Sequence, residues 1–216
     1  MLSKIELKIL SVFRKDLFSR LTFKEIKQKS RQKSNSMVQR AISAFKKQSL
    51  IKTELFGDVT VYSLNLENSL TRAYLALCLE DDKGKVPEDA RKVLGKMVQQ
   101  GLECTEFFIL FLFGSYAKGE ESKKSDLDIA VIVENDDAKI EFRPFVETVK
   151  RRELMEIDAH VFTREEFTEM LENNSENLGK QIYRGSLVFH GLEQYIDMLG
   201  KIYVKPGRTL LSKGRE

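Results

Sequence analysis

Soft metal ligands are scarce in this chain: its 216 residues include two cysteines and two histidines. Cys78 and Cys104 stand alone in apolar company, with no paired ligand spacing, and a chain of this size needs no disulfide staple. With His160 and His190 the only histidines, a Cys/His zinc site is excluded. Long apolar runs are missing too. The longest, Phe107 to Phe113, has seven residues, whereas a helical membrane span needs roughly 20. The opening Met1-Leu2-Ser3-Lys4-Ile5-Glu6 lacks the apolar stretch and small-residue cleavage site of a secretory signal, so the expected location is cytoplasmic. There is no internal repeat and no low-complexity tract. What is present is 42% hydrophobic and 32% charged residues, a mixture that suits a folded domain with a real core. The length allows one ordinary domain or two small ones.

The net charge of +3 conceals a split. Residues 1–65 hold 14 Lys/Arg against 5 Asp/Glu, a net of +9, and residues 66–216 hold 22 against 28, a net of −6. A basic front joined to an acidic remainder points to two domains with different partners. In the front part, Ser3 to Arg14 has helical spacing with Ser3 as N-cap. Thr22 followed by Glu25 predicts a capping box and a second short helix. Met37, Ala41, Ile42, Ala44 and Phe45 predict a third, ending near Leu50. Leu50 to Phe56 and Val59 to Leu64 read as strands joined by the two-residue turn Gly57-Asp58.

Three short helices and a hairpin describe a winged helix-turn-helix. Between Lys24 and Lys52 stand nine Lys/Arg and one acid. Lys33, Asn35, Gln39 and Arg40 are the expected DNA-reaching residues at the start of the third helix, with the lysines around them attracting phosphate.

Residues 66–87 read as a helical connector. Leu70, Tyr74, Leu75, Leu77, Cys78 and Leu79 form its apolar stripe, and Asp81 to Lys85 are expected to end the helix as a loop. Pro87 suits the first turn of a following helix, Val93, Leu94, Met97 and Val98 its buried side, and Gly101 its end. The expected division is 1–65, 66–87, a domain over 88–192, and a C-terminal helix and tail over 193–216.

The chemistry concentrates between Phe107 and Glu134. Phe107 to Phe113 is a buried strand by length and composition and runs straight into Gly114-Ser115. A glycine there allows a sharp turn and close approach of backbone to a ligand, and the neighbouring N–H groups and the Ser115 hydroxyl suit a phosphate. A polar loop is expected from Tyr116 to Ser125, with Ser122 and Ser125 shaping its path. Asp126-Leu127-Asp128 follows, then the apolar run Ile129 to Val133. Aspartates at i and i+2 on a strand share a face. Two carboxylates side by side repel unless a cation lies between them, and hard oxygen ligands suit Mg²⁺. Leu154 to Phe162 reads as a further strand, with Asp158 on one face together with Glu156 and His160. His160 is expected to be structural, and Lys150-Arg151-Arg152 a solvated helix end.

Gly114-Ser115, ten intervening residues, then Asp126-x-Asp128 resembles the signature of the DNA polymerase β-like nucleotidyltransferase superfamily. The wider run Leu112-Phe113-Gly114-Ser115-Tyr116-Ala117-Lys118-Gly119, with Ser125-Asp126-Leu127-Asp128, is most similar to its minimal nucleotidyltransferase branch. Ile182-Tyr183-Arg184-Gly185-Ser186-Leu187-Val188-Phe189-His190-Gly191 resembles the strand that closes such domains. The resemblance covers roughly residues 88–192. It implies an α/β (α+β) fold with a mixed sheet flanked by helices. It also implies that Asp126 and Asp128 hold two Mg²⁺ ions, that Asp158 completes the site and helps deprotonate the acceptor hydroxyl, and that Gly114 and Ser115 hold the β- and γ-phosphates of an NTP.

Two functions follow from the resemblance and the basic front. In one, the chain transfers a nucleoside monophosphate, AMP by expectation from ATP, onto a hydroxyl. Minimal-branch proteins often act as antitoxins that modify a tyrosine of a partner nuclease, which would make the acceptor a protein encoded nearby. Those antitoxins usually lack a winged helix, and this chain departs from them there. In the other, the chain is a transcriptional regulator whose nucleotidyltransferase-like domain senses a nucleotide. A winged helix on palindromic DNA would favour a homodimer. No membrane partner is expected.

Overall fold

The computed structural model describes residues 1–122 and 124–203. The front of the chain folds as α1 (Lys4–Leu10), a single 3-10 turn over Ser11–Phe13, β1 (Leu21–Thr22), α2 (Phe23–Lys29), α3 (Asn35–Lys47), β2 (Ile51–Phe56) and β3 (Val59–Leu64). Its helix starts follow the side chains at their caps. Ser3 with Glu6, and Thr22 with Glu25, form complete capping boxes, each satisfying N–H groups that the first turn leaves without a partner. Gly57 turns the β2–β3 hairpin at φ +56. The two residues of β1, unassigned by periodicity, pair antiparallel with β3 (Leu21 with Tyr62), giving a sheet in the order β1-β3-β2. The first helix is shorter than the apolar spacing suggested, because its last turn tightens to 3-10 geometry.

The connector departs from expectation. Helix α4 (Ser69–Lys83) runs through Asp81 and Asp82 rather than breaking there, and its side chains explain why. Lys83 pairs with Glu80, and Lys85 reaches back to Asp81 and Asp82 at 2.6 and 2.9 Å, favourable spacings on a helix surface and at its basic end. Leu70 and Leu77 are exposed, so only Tyr74, Leu75, Cys78 and Leu79 of the expected stripe are core. Pro87 is the N-cap of α5 (Glu88–Cys104). Gly101 lies inside that helix rather than past its end. A Cβ there would come within 2.9 to 3.0 Å of the rings of Phe108 and Phe142, so the glycine is a packing requirement and not a stop signal.

The rest of the chain builds a mixed four-stranded sheet in the order β6-β5-β4-β7. Its strands are β4 (Phe108–Leu112), β5 (Leu127–Val133), β6 (Ile157–Thr163) and β7 (Leu187–His190). Strand β4 is antiparallel to both β5 and β7, while β5 and β6 run parallel. Helix α6 (Gly114–Lys118) follows β4, α7 (Asp136–Arg152) makes the β5–β6 crossover, and α8 (Arg164–Glu172), α9 (Leu178–Gly185) and α10 (Leu192–Tyr203) complete the layers. All five residues of β4 are fully buried. Burying a Phe, Leu or Ile contributes about 1.5–3 kcal/mol each, so this central strand anchors the sheet. The closing segment is only partly strand: Ile182 to Gly185 ends α9, and β7 begins at Leu187. The C-terminal helix is α10, and the expected tail beyond Tyr203 lies outside the described residues.

The two sheets are joined through α4 and by side chains from both ends. Tyr74 Oη accepts from the Leu2 N–H at 3.0 Å, Thr71 Oγ1 donates to the Leu50 carbonyl at 3.3 Å, and Asn68 Nδ2 donates to the Gln48 carbonyl at 2.9 Å. Arg72 reaches Glu193 at 2.6 Å and Asp197 at 2.8 Å on α10. Tyr183 Oη donates to Asp16 Oδ1 at 2.6 Å. Among the described residues, no helix is long and apolar enough to cross a membrane.

Candidate active site

The strand order decides which carboxylates meet. Because β5 and β6 are parallel neighbours, Asp128 is register-paired with Asp158, and Ala130 with His160. Two carboxylates separated by 29 intervening residues of sequence are thus placed side by side. Asp126 lies one residue ahead of β5 and is exposed, whereas Asp128 is inside the strand and half-buried. The expected same-strand pair is therefore a pair at the strand's mouth.

Gly114 closes on this pair from β4. The chain leaves β4 through Phe113, whose N–H donates to the Asp128 carbonyl at 2.9 Å. Gly114 then takes φ +67, a conformation open to glycine at little cost. A Cβ on Gly114 would overlap the Asp128 carboxylate. The backbone N–H of the next residue, Ser115, lies close enough to that carboxylate to favour its charged form. The expected polar loop is helical over its first part: Tyr116 to Lys118 belong to α6, Tyr116 is buried, and Gly119 caps the helix in the left-handed region at φ +69. Ser122 and Ser125 shape the remainder, with the Ser122 N–H donating to Ser125 Oγ at 2.9 Å.

The electrostatics fit a concentration of negative charge. Burial, then the charges of Asp158 and Asp126, push the Asp128 carboxyl above the usual carboxylate range, and the opposing pull of His160 and the Ser115 N–H only partly offsets them. His160 Nε2 lies 3.3 Å from Asp158 Oδ2. The rings of Phe113 and Phe162 neighbour the histidine, each with its centroid 6.1 Å away. His160 is thus on the Asp158 side of β6, the face that strand alternation predicted. As the side chains stand, no three His, Cys, Asp or Glu groups converge among the described residues on a single metal position, and Asp158 is engaged with His160 instead. The donor set nevertheless fits a divalent cation: hard oxygen ligands, one of them already disfavoured as an uncompensated anion.

Beside this site lies a groove of about 360 Å³ whose lining includes Lys139 and Arg143 of α7, His160 and Phe162 of β6, and Glu166 of α8. Lys139 is almost fully buried and contacts both Glu166 oxygens at 2.5 Å. Sequence reasoning passed over this group, although Lys139 and Arg143 stand one helical turn apart on the crossover helix. Lys150, Arg151 and Arg152 end α7 at the surface, as expected.

The front sheet holds the other expected residues. Asn35, Gln39 and Arg40 are exposed on the first half of α3, and Lys33 is exposed just before it. Lys27 Nζ donates to Asn35 Oδ1 at 2.6 Å. Gln39 lines a groove of about 730 Å³ between α3 and the hairpin, shared with Lys24, Lys46 and Tyr62. Lys46 sits over the Tyr62 ring at 5.3 Å.

No curated protein and no solved structure matches the chain. The segment that contains the Gly114–Asp128–Asp158 arrangement does match a family model: residues 102–193 fit the one described as Polymerase beta, Nucleotidyltransferase, a match that suggests nucleotidyl transfer for this segment.

Proposed function

We propose that this protein transfers a nucleoside monophosphate, AMP by preference, from an NTP to a hydroxyl acceptor in a Mg²⁺-dependent reaction. The observation that carries the reading is the closure of Gly114-Ser115 on Asp128, in register with Asp158, inside the family-matched segment. Asp126 and Asp128, with Asp158, are the residues that would hold two Mg²⁺ ions. Bound there, such ions supply charge neutralisation for an in-line displacement at phosphorus. The backbone N–H groups after Gly114 orient the β- and γ-phosphates. Asp158 takes the proton of the acceptor hydroxyl as the new O–P bond forms at the α-phosphorus and the bond to pyrophosphate breaks. The protein's own task is mostly positioning.

The front unit, residues 1–65, is proposed as a winged helix-turn-helix that binds DNA. Residues 66–87 link it to the transferase unit over 88–192, and α10 packs behind. The order helix, strand, two helices, hairpin, with β1 closing on β3, supports this reading, as does the +9 charge of the unit. Lys33, Asn35, Gln39 and Arg40 would face the major groove. A chain that both modifies a partner and binds its own operator fits an autoregulating, antitoxin-like role. Its acceptor would be a protein encoded next to it, and a homodimer would match a palindromic operator. The same basic surface favours a second reading, in which the transferase unit only binds a nucleotide and the chain acts as a regulator.

Labelled ATP with Mg²⁺ separates them, supplied to the protein alone and with the product of the adjacent gene. Label transfer that disappears in Asp126→Ala with Asp128→Ala supports the transferase. Nucleotide binding without transfer to any acceptor, together with tight operator binding, supports the regulator.

A further inference from the structure

A cavity of about 870 Å³ opens between α1, the end of α2 and the outer face of α4, away from both sites described above. Its walls carry Lys4, Lys8, Arg14, Lys15, Lys29, Arg31 and Lys85, with Asp81 as the one acid. Two of these cations are engaged: Arg14 pairs with Asp82, and Lys85 with Asp81 and Asp82. Lys4, Lys8, Lys15, Lys29 and Arg31 have no ion pair among the described residues, and all five are exposed. They come from three separate stretches of chain, so the tertiary fold gathers them.

Like charges brought together repel at a cost that a bound anion would offset. Arg31 takes the left-handed region at φ 54 as the residue just past the α2 cap, where the Gln32 N–H donates back to the Lys27 carbonyl at 3.1 Å, an ordinary way for a helix to end. Between the cations the wall is apolar. Leu7, Val12 and Cys78 line it, and Leu77 does so with half of its surface exposed, on the face of α4 where a core residue was expected. No lining residue is shared with α3, the hairpin or the carboxylate site.

We propose that this cavity binds a nucleoside polyphosphate, its phosphate chain on Lys8, Lys29 and Arg31 and its base against Leu7 and Leu77. The volume suits one ligand of that size. The free lysines supply point charges and Arg31 a two-pronged donor for phosphate oxygens. Because α4 joins the two sheets, the bound ligand would bridge the front unit and the connector.

The test is calorimetric titration of the full chain with ATP in excess EDTA, which withholds the metal that nucleotide binding at the carboxylates requires. Saturable binding is expected, weakened at least about tenfold by Lys8→Glu with Lys29→Glu. It should be retained in Asp126→Ala with Asp128→Ala. It should also be retained in Lys46→Glu with Lys47→Glu, which matches the charge change on α3. Both lysines of the cavity variant are exposed, so its thermal unfolding should match wild type. Absence of metal-free ATP binding overturns the proposal, as does equal loss in the two charge-matched variants. A duplex-DNA titration supplies the remaining arm. If the cavity variant loses DNA affinity while wild type binds no ATP, the cations serve a nucleic-acid backbone and the proposal fails.

Discussion

Gly114 and Asp128 occupy space that admits no side chain between them: at φ +67, a Cβ on Gly114 would overlap the Asp128 carboxylate. The turn after β4 is thus fitted to one acid on β5, and the Ser115 N–H is aimed at the same group. Gly114→Ala should lose transfer activity and about 1–3 kcal/mol of stability from the left-handed backbone alone. Thermal unfolding and label transfer check it. Ser115→Ala keeps the backbone donor and should unfold as wild type does.

Asp128 is held as a strained anion by burial, Asp158 and Asp126. Asp128→Asn removes that repulsion, so it should leave the metal-free protein as stable as wild type or more so while reducing transfer by about two orders of magnitude or more. Mg²⁺ should raise the melting temperature of wild type and have little effect on the variant, since binding to the folded state stabilises it by mass action. A scan of melting temperature against Mg²⁺ concentration decides this, and an equal response in both proteins contradicts the assigned ligand set.

Glu166 caps α8 through the Thr163 N–H and grips Lys139. Burial raises its carboxyl, but the Lys139 hydrogen bond and charge and the Thr163 N–H outweigh it and hold it below the ordinary glutamate range. A depressed folded-state pKa means that the folded protein binds fewer protons than the unfolded chain. The stabilisation is therefore complete above the ordinary glutamate range and is lost as pH falls through the depressed one. Glu166→Gln should flatten that acid limb of stability, measurable as urea midpoints across acidic pH.

Arg72 ties the connector to α10 through Glu193 and Asp197 and donates Nε to the Leu66 carbonyl at 2.7 Å. Both acids are well exposed, which screens the pairs. Arg72→Ala should therefore cost only about 1 kcal/mol in chemical denaturation. A loss several times larger would show that the two sheets unfold as one cooperative unit held there.

For the front unit, Lys33→Ala and Arg40→Ala should each weaken duplex DNA binding and lower the slope of log affinity against log salt by about 1 if the residue meets a phosphate. A gel-shift titration over salt reads both. A wild-type affinity that does not fall with salt removes the DNA-binding proposal.

Much of this molecule was legible in one dimension. Capping boxes at Ser3 and Thr22, the Gly57-Asp58 turn and the apolar run into Gly114 are local signals, because each depends on neighbours within about four residues. Gly114-Ser115 and Asp126-x-Asp128 stood out for the same reason. Errors came where a distant partner overruled the local signal. Gly101 lies inside a helix, where the Phe108 and Phe142 rings leave no room for a Cβ, so the glycine marks close packing and not a helix end. The Asp81–Lys83 stretch is helical with Asp82 paired to Arg14 from the front of the chain, beside the local pairs of Lys83 and Lys85. The strand β1 gave no signal, since a two-residue strand has no period; strand alternation put His160 on the Asp158 face, and the fold sets the 3.3 Å between them.

The sequence by itself determined the chemistry available: which carboxylates exist, where glycine frees the backbone, and that the front is basic and the remainder acidic. Only the tertiary structure decided which of these groups meet. The parallel pairing of β5 with β6 puts Asp158 beside Asp128, and the packing of α1 on α4, with the end of α2 beside them, gathers around one cavity five cations that have no ion pair among the described residues. The physical reason is the same in both cases. Charge interactions act over a few ångströms of space, and separation along the chain does not set that distance.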